Sequence, residues 1–133
     1  SAGKMDQARE NGCDHVVLSD DPAFVTKVRD FSGGVDAVYD SIGRTTFMNS
    51  LNCLRPRGTM VSFGAASGPP PDISVADLVS RGSLFLTRPS IAHYIADTEE
   101  YQCAVERLFQ AVSDGDIRLP KSTSMPLANA RAI

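Results

Sequence analysis

The sequence predicts an α/β fold, a doubly wound parallel sheet. Three observations lead there. Short runs rich in β-branched residues alternate with stretches whose apolar residues recur at helical spacing. The stretches between runs are about 10 residues long, which suits crossover helices between parallel strands. Two loops of small residues, "DSIG" at 40–43 and "GAASG" at 64–68, each directly follow a strand-like run. In such sheets ligands sit beyond the carboxyl ends of the strands, so both loops fall on the edge that matters.

Residues 5–11 read as the end of a helix, with Gly12 in the position after its cap. "HVVL" at 15–18 is a short apolar run and reads as a strand. Asp20, Asp21 and Pro22 read as a helix start with proline in the first turn. Phe24, Val25, Val28 and Phe31 carry the helical period, and Ser32, Gly33 and Gly34 end it. The next strand covers 35–39. A helix covers 45–54, with Phe47, Leu51 and Leu54 on one face. "RPRG" at 55–58 reads as a turn, and 59–63 as a strand. Residues 73–79 read as a short helix and 83–87 as a strand. The longest helix spans 97–114, with Tyr101, Val105, Leu108, Phe109 and Val112 in a stripe and Gly115 closing it. From Ile117 the chain reads as extended and irregular, with a helix beginning at 127–133.

The 133 residues bound the answer to one domain or part of one. Hydrophobic residues make up 42% and charged residues 22%, an ordinary globular balance. The net charge of −3 argues against nucleic acid as the main partner, because phosphate backbones need a basic surface. No apolar run approaches the ~20 residues of a membrane span, and residues 1–4 do not read as a signal peptide. Cys13, Cys53 and Cys103 are odd in number and far apart, which suits a reducing cytoplasm rather than a disulfide or zinc framework. His15 and His93 have no partners at metal-ligand spacing, so both read as structural and no metal is expected. Asp36 and Asp40 flank one strand and read as turn and sheet-end residues rather than as an acid–base pair.

A doubly wound nucleotide-binding domain opens on a strand, a glycine-rich turn and a helix. No G-x-G-x-x-G is present here. The expectation is that residues 1–133 form part of a dinucleotide-binding domain, incomplete and lacking its first glycine-rich βαβ turn.

The stretch "GVDAVYDSIGRTTFMNSLNCLRPRGTMVSFGAASGPPP" (34–71), followed by "GSLFLTRPSIAHYI" (82–95), resembles the quinone oxidoreductases. These are the zinc-free, NADPH-dependent branch of the medium-chain dehydrogenase/reductase superfamily. The likeness runs from Lys4 to Ile133. It rests on the combination of "YDSIG", "LRPRG", "FG" and "TRPS" at these spacings. The resemblance implies a Rossmann-like cofactor domain and hydride transfer from NADPH to a quinone or an electron-poor enone, without metal.

It also implies roles. Lys4 stands where the family places a lysine against the 2′-phosphate of NADPH, with Ser1 as a further donor; otherwise Lys4 is a solvated side chain in a first helical turn. Ser41 and Gly43 fall near the cofactor ribose or diphosphate, or else form an ordinary turn before a helix. Phe63, Gly64, Ala65, Ser67 and Gly68 form the loop beside the nicotinamide and its ribose, with Gly64 kept bare for the ring, or else a plain surface loop. Relatives often carry tyrosine where this chain has Ser19 and asparagine where it has Ala65. The resemblance therefore implies a looser adenosine side and one polar contact fewer. Arg88 and Ser90 either help shape the cleft or brace the bend at Pro89. The strand "SLFLT", Ser83 to Thr87, resembles the element through which family subunits pair, which implies a homodimer. No general acid or nucleophile is expected within the chain. Two alternatives stay open: an S-adenosylmethionine-dependent methyltransferase domain, and a non-catalytic scaffold or dimerisation piece.

Overall fold

The structure, a computed structural model, describes residues 2–119 and 124–126. The helix expected at 127–133 lies outside the described residues. The chain divides into two compact units, Ser1–His93 and Tyr94–Ile133.

The first unit carries a three-stranded parallel sheet in the order β1 (Val35–Asp40), β2 (Leu54–Ser62), β3 (Phe85–Thr87). Val38 pairs with Met60, and Met60 pairs with Leu86. After a one-turn 3-10 helix, Ala2–Lys4, come α1 (Met5–Glu10) and α2 (Phe24–Ser32). Helix α3 (Phe47–Cys53) crosses from β1 to β2, and α4 (Val75–Ser80) lies between β2 and β3. The core is small: Phe47, Leu51, Leu54, Met60 and Leu84 are buried together, with Val35, Val38, Ile73 and Leu78 packed against them. Burying each large side chain stabilises the fold by roughly 1.5–3 kcal/mol. Phe47 and Leu51 of the stripe expected at 45–54 fill this core from α3, whereas Leu54, expected as its last helical member, is the first residue of β2. Met60 and Ser62 face it from β2. Tyr39, Phe85 and Thr87, at alternate strand positions, are exposed.

Local chemistry explains the element ends. The Asp21 carboxylate accepts a hydrogen bond from Ala23 N at 2.8 Å and pairs with Lys27, which holds the turn ahead of α2. Pro22 therefore stands before the helix, not within its first turn. At α4, Ser74 Oγ accepts from Asp77 N while the Asp77 carboxylate accepts from Ser74 N, a reciprocal cap.

Two further expectations are corrected. Residues 15–18 form no strand among the described residues. A β-strand exists through pairing, and this segment joins no ladder. His15 instead stacks on Phe31 with ring centroids 4.1 Å apart, while Val16, Val17 and Leu18 line a depression beside α1. The turn read at 55–58 lies inside β2 as a bulge: the pairing passes from Val35–Leu54 directly to Ala37–Thr59. Arg57 takes φ 64° there, and Asp36 on β1 forms an ion pair with Arg55. A single helical turn, α5 (Ile91–Tyr94), has no counterpart in the sequence reading.

In the second unit, α6 (Thr98–Ser113) begins at Asp97, whose carboxylate accepts from Glu100 N at 2.9 Å. Its stripe is largely exposed, with Phe109 at 68%. Among the described residues no helix is long and apolar enough to cross a membrane.

Candidate functional site

Strands β1 and β2 end level with each other, Asp40 opposite Ser62. The two loops that follow are tied together. The Asp40 carbonyl accepts from Phe63 N at 3.0 Å and Gly64 N at 3.3 Å. Ala66 N donates to Ser41 O, Ser67 N to Ile42 O, and Arg44 N to Gly68 O. The loops therefore continue the sheet's connection past its carboxyl edge, and Ser41, Gly64, Ala65 and Ser67 come together there with Gly43 buried among them.

The glycines are required by this contact. A Cβ on Gly64 would fall 2.4 Å from Ser41 O and 2.7 Å from Ser41 Cα. A Cβ on Gly43, at φ 87°, would fall 2.5 Å from Gly68 O. Both obstacles are backbone, which cannot swing away as a side chain can. Gly64, expected to be bare for the ring, faces the backbone of the neighbouring loop, and so does Gly43, expected as a turn residue.

Hydroxyls divide the same way. Ser67 Oγ donates to Ile42 O at 2.8 Å and accepts from Thr45 N and Thr45 Oγ1, each at 3.1 Å, which uses its full capacity. Ser41 Oγ has no hydrogen bond among the described residues and is exposed. Phe63 presents its ring half-exposed, and Ala65 is exposed.

Asp40 anchors the first loop. Its buried carboxylate accepts from Ile42 N (2.7 Å), Gly43 N (2.9 Å), Thr46 Oγ1 (2.7 Å) and Ser50 Oγ (2.9 Å). Burial pushes its pKa up, but the hydrogen bonds from Gly43, Thr46, Ile42 and Ser50 outweigh burial and hold the group below the usual 3.8. The sequence reading treated Asp40 as a sheet-end residue and missed this reach. Its signal is an aspartate on the last strand position with a turn two and three residues on. Beside it Ser62 Oγ is buried and has no hydrogen-bond partner among the described residues, an arrangement that costs about 1–3 kcal/mol.

The other singled-out residues lie apart from these loops. Lys4 is exposed and lines a depression of about 210 Å³ with Met5, Ala8, Val16, Val17, Leu18 and Ser19; no residue of the two strand-end loops contributes to it. Arg88 Nη1 donates to Ser62 O at 2.8 Å, so it bridges the ends of β3 and β2. It forms no ion pair among the described residues. Ser90 O accepts from His93 N in the turn before α5. Among the described residues no three His, Cys, Asp or Glu side chains are grouped to hold a metal ion.

The paired loops offer backbone groups and, at Ser41, one hydroxyl uncommitted among the described residues. Lys4 offers a cation beside a depression of mixed polar and apolar lining.

Comparison with known proteins agrees with this architecture. The profile of the zinc-binding dehydrogenase family matches residues 1–110. A 2-haloacrylate reductase from a Burkholderia species is 42% identical over 132 residues, covering 97% of this chain and 40% of that protein. A mycobacterial protein solved in complex with NADPH superposes with a TM-score of 0.90 at 40% identity, over 99% of this chain and 42% of that one. The Escherichia coli quinone oxidoreductase complexed with NADPH gives a TM-score of 0.85 at 36% identity, over 92% and 38%. The chain thus spans about 40% of the length of the relatives it matches.

Proposed function

Because this chain belongs to the zinc-binding dehydrogenase family, we propose that it is part of a longer oxidoreductase that transfers hydride from NADPH to a quinone or electron-poor enone, with no metal in the reaction. The observation that carries this reading is the tied pair of loops at the carboxyl edge of a parallel sheet, where such folds take dinucleotides. The names of the relatives support it: a quinone oxidoreductase and a haloacrylate reductase, the first solved with NADPH.

When bound, the nicotinamide supplies the hydride chemistry, and the protein supplies position. In this reading the Ser41 hydroxyl bonds the ribose or diphosphate beside Gly43. The backbone of Phe63, Gly64 and Ala65 lies along the nicotinamide half, and Ser67 holds that loop in place. Lys4 pairs with the 2′-phosphate, where a flexible cation suits a phosphate. No residue of this chain is assigned as acid, base or nucleophile. The cytoplasm is the proposed compartment, supported by three free cysteines far apart in sequence.

The test uses the full-length protein with a soluble naphthoquinone. NADPH is expected to bind and to be consumed. Lys4→Ala is expected to raise KM for NADPH about tenfold, as loss of a charged hydrogen bond should, and to leave KM for NADH unchanged. Failure to bind NADPH, or protection by S-adenosylmethionine in its place, would overturn the proposal.

The protein is further proposed to form a homodimer through the segment Ser83 to Thr87. Strand β3 is the last strand of the described sheet, and Phe85 is 62% exposed on it. A dimeric mass in light scattering is expected; a monomeric mass would remove this proposal.

A further inference from the structure

The residue that joins both strand-end loops is Asp40, and it does so with different atoms. Its carboxylate holds the first loop through Ile42 N and Gly43 N, and the start of α3 through Thr46 and Ser50. Its carbonyl holds the second loop through Phe63 N and Gly64 N. The side chain is buried, and among the described residues no cation pairs with it. A buried charge is costly, and a neutral cap would suffice to end a helix. Only a carboxylate has acceptor sites for four donors at once; a serine hydroxyl accepts two, and one asparagine oxygen accepts two. The charge is thus explained by what it holds together, namely a loop and a helix that must keep one geometry.

We propose that Asp40 is the positioning residue of the cofactor site. It fixes residues 41–43 before ligand arrives, and the second loop follows through Ala66 N and Ser67 N. A loop already ordered has no ordering cost left at binding, so the gain appears in affinity and not in the hydride step. This inference rests on the NADPH reading above.

The experiment compares the wild type with Asp40→Asn in the full-length protein. Asparagine keeps the shape and an oxygen for Ile42 N and Gly43 N. Its amide donates to the Thr46 and Ser50 hydroxyls, which turn to accept. The fold is therefore retained, while two charge-assisted bonds to the loop become ordinary ones. KM and Kd for NADPH are expected to rise about tenfold, with kcat within about twofold. Ser50→Ala serves as control, since it removes a bond on the helix side only. It is expected to lower the melting temperature and leave KM for NADPH unchanged. Should Asp40→Asn fail to fold, Asp40→Ser, which keeps a single small acceptor, is measured for the same split. An Asp40 variant that behaves like Ser50→Ala, less stable with unchanged KM, overturns the inference alone. A wild type that does not bind NADPH overturns the proposed function as well.

Discussion

Gly64→Ala is expected to destabilise the full-length protein by about 3 kcal/mol, at the upper end for overpacking. The added carbon would sit 2.4 Å from Ser41 O, and the nearest atoms are all Ser41 backbone. Relief requires the first loop to retreat. That loop is held by the Asp40 carboxylate and by the cross-links from Ala66 and Ser67. Cofactor binding should weaken with it, because the surface made by both loops is disturbed at its centre. Gly33→Ala is the comparison. Gly33 has φ 69° but nothing within 4 Å of its would-be Cβ, so only the left-handed strain of roughly 1–2 kcal/mol applies. Urea unfolding of both variants checks the ranking. A Gly64→Ala protein no less stable than Gly33→Ala would show that the loops are not packed as described.

Phe47→Ala should cost about 3–5 kcal/mol, a large share of a typical domain's 5–15. Phe47 is 2% exposed and lies at the centre of a core with few large members, with Leu51, Leu54, Met60 and Leu84 around it. So small a core has little spare material to collapse into the cavity. Phe63, half-exposed at the strand end, is the control; its truncation should cost about 1 kcal/mol, since half of its area is already in water. Denaturant midpoints for the two variants separate these outcomes. Equal losses would contradict the burial pattern.

The helices were legible because their signals are local. Phe47 and Leu51 repeat at helical spacing, and that face is the buried one, although Leu54, the third of the series, already belongs to β2. Gly115 after the longest helix is legible as its stop, while Asp97, included in the helix by its spacing, is its N-cap. Strands were less secure, because pairing decides them. "HVVL" has strand composition but joins no ladder, and "RPRG" has turn composition but lies within β2 as a bulge. At the site, position was legible and reason was not. Gly64 reads as small for a ligand and Gly43 as a turn residue, yet at both the atoms that forbid a side chain are the facing loop's backbone, twenty or so residues away in sequence. Ser67 was read as a ligand contact, and its hydroxyl is already committed to Ile42 and Thr45. Asp40 went unread because its hydroxyl partners, Thr46 and Ser50, lie beyond the reach of a turn motif.

The parallel ladder has a kinetic consequence. Its pairs join Val38 to Met60 and Met60 to Leu86, so no rung forms until a loop of roughly 20 residues has closed, at an entropic cost of about 2–3 kcal/mol. Helix α3 lies inside the first of these loops and presents Phe47 and Leu51 to the strands on either side. Its docking shortens the search that brings β1 to β2. The rate at which this sheet assembles is therefore bound to a seven-residue helix whose own propensity is too weak to form it alone.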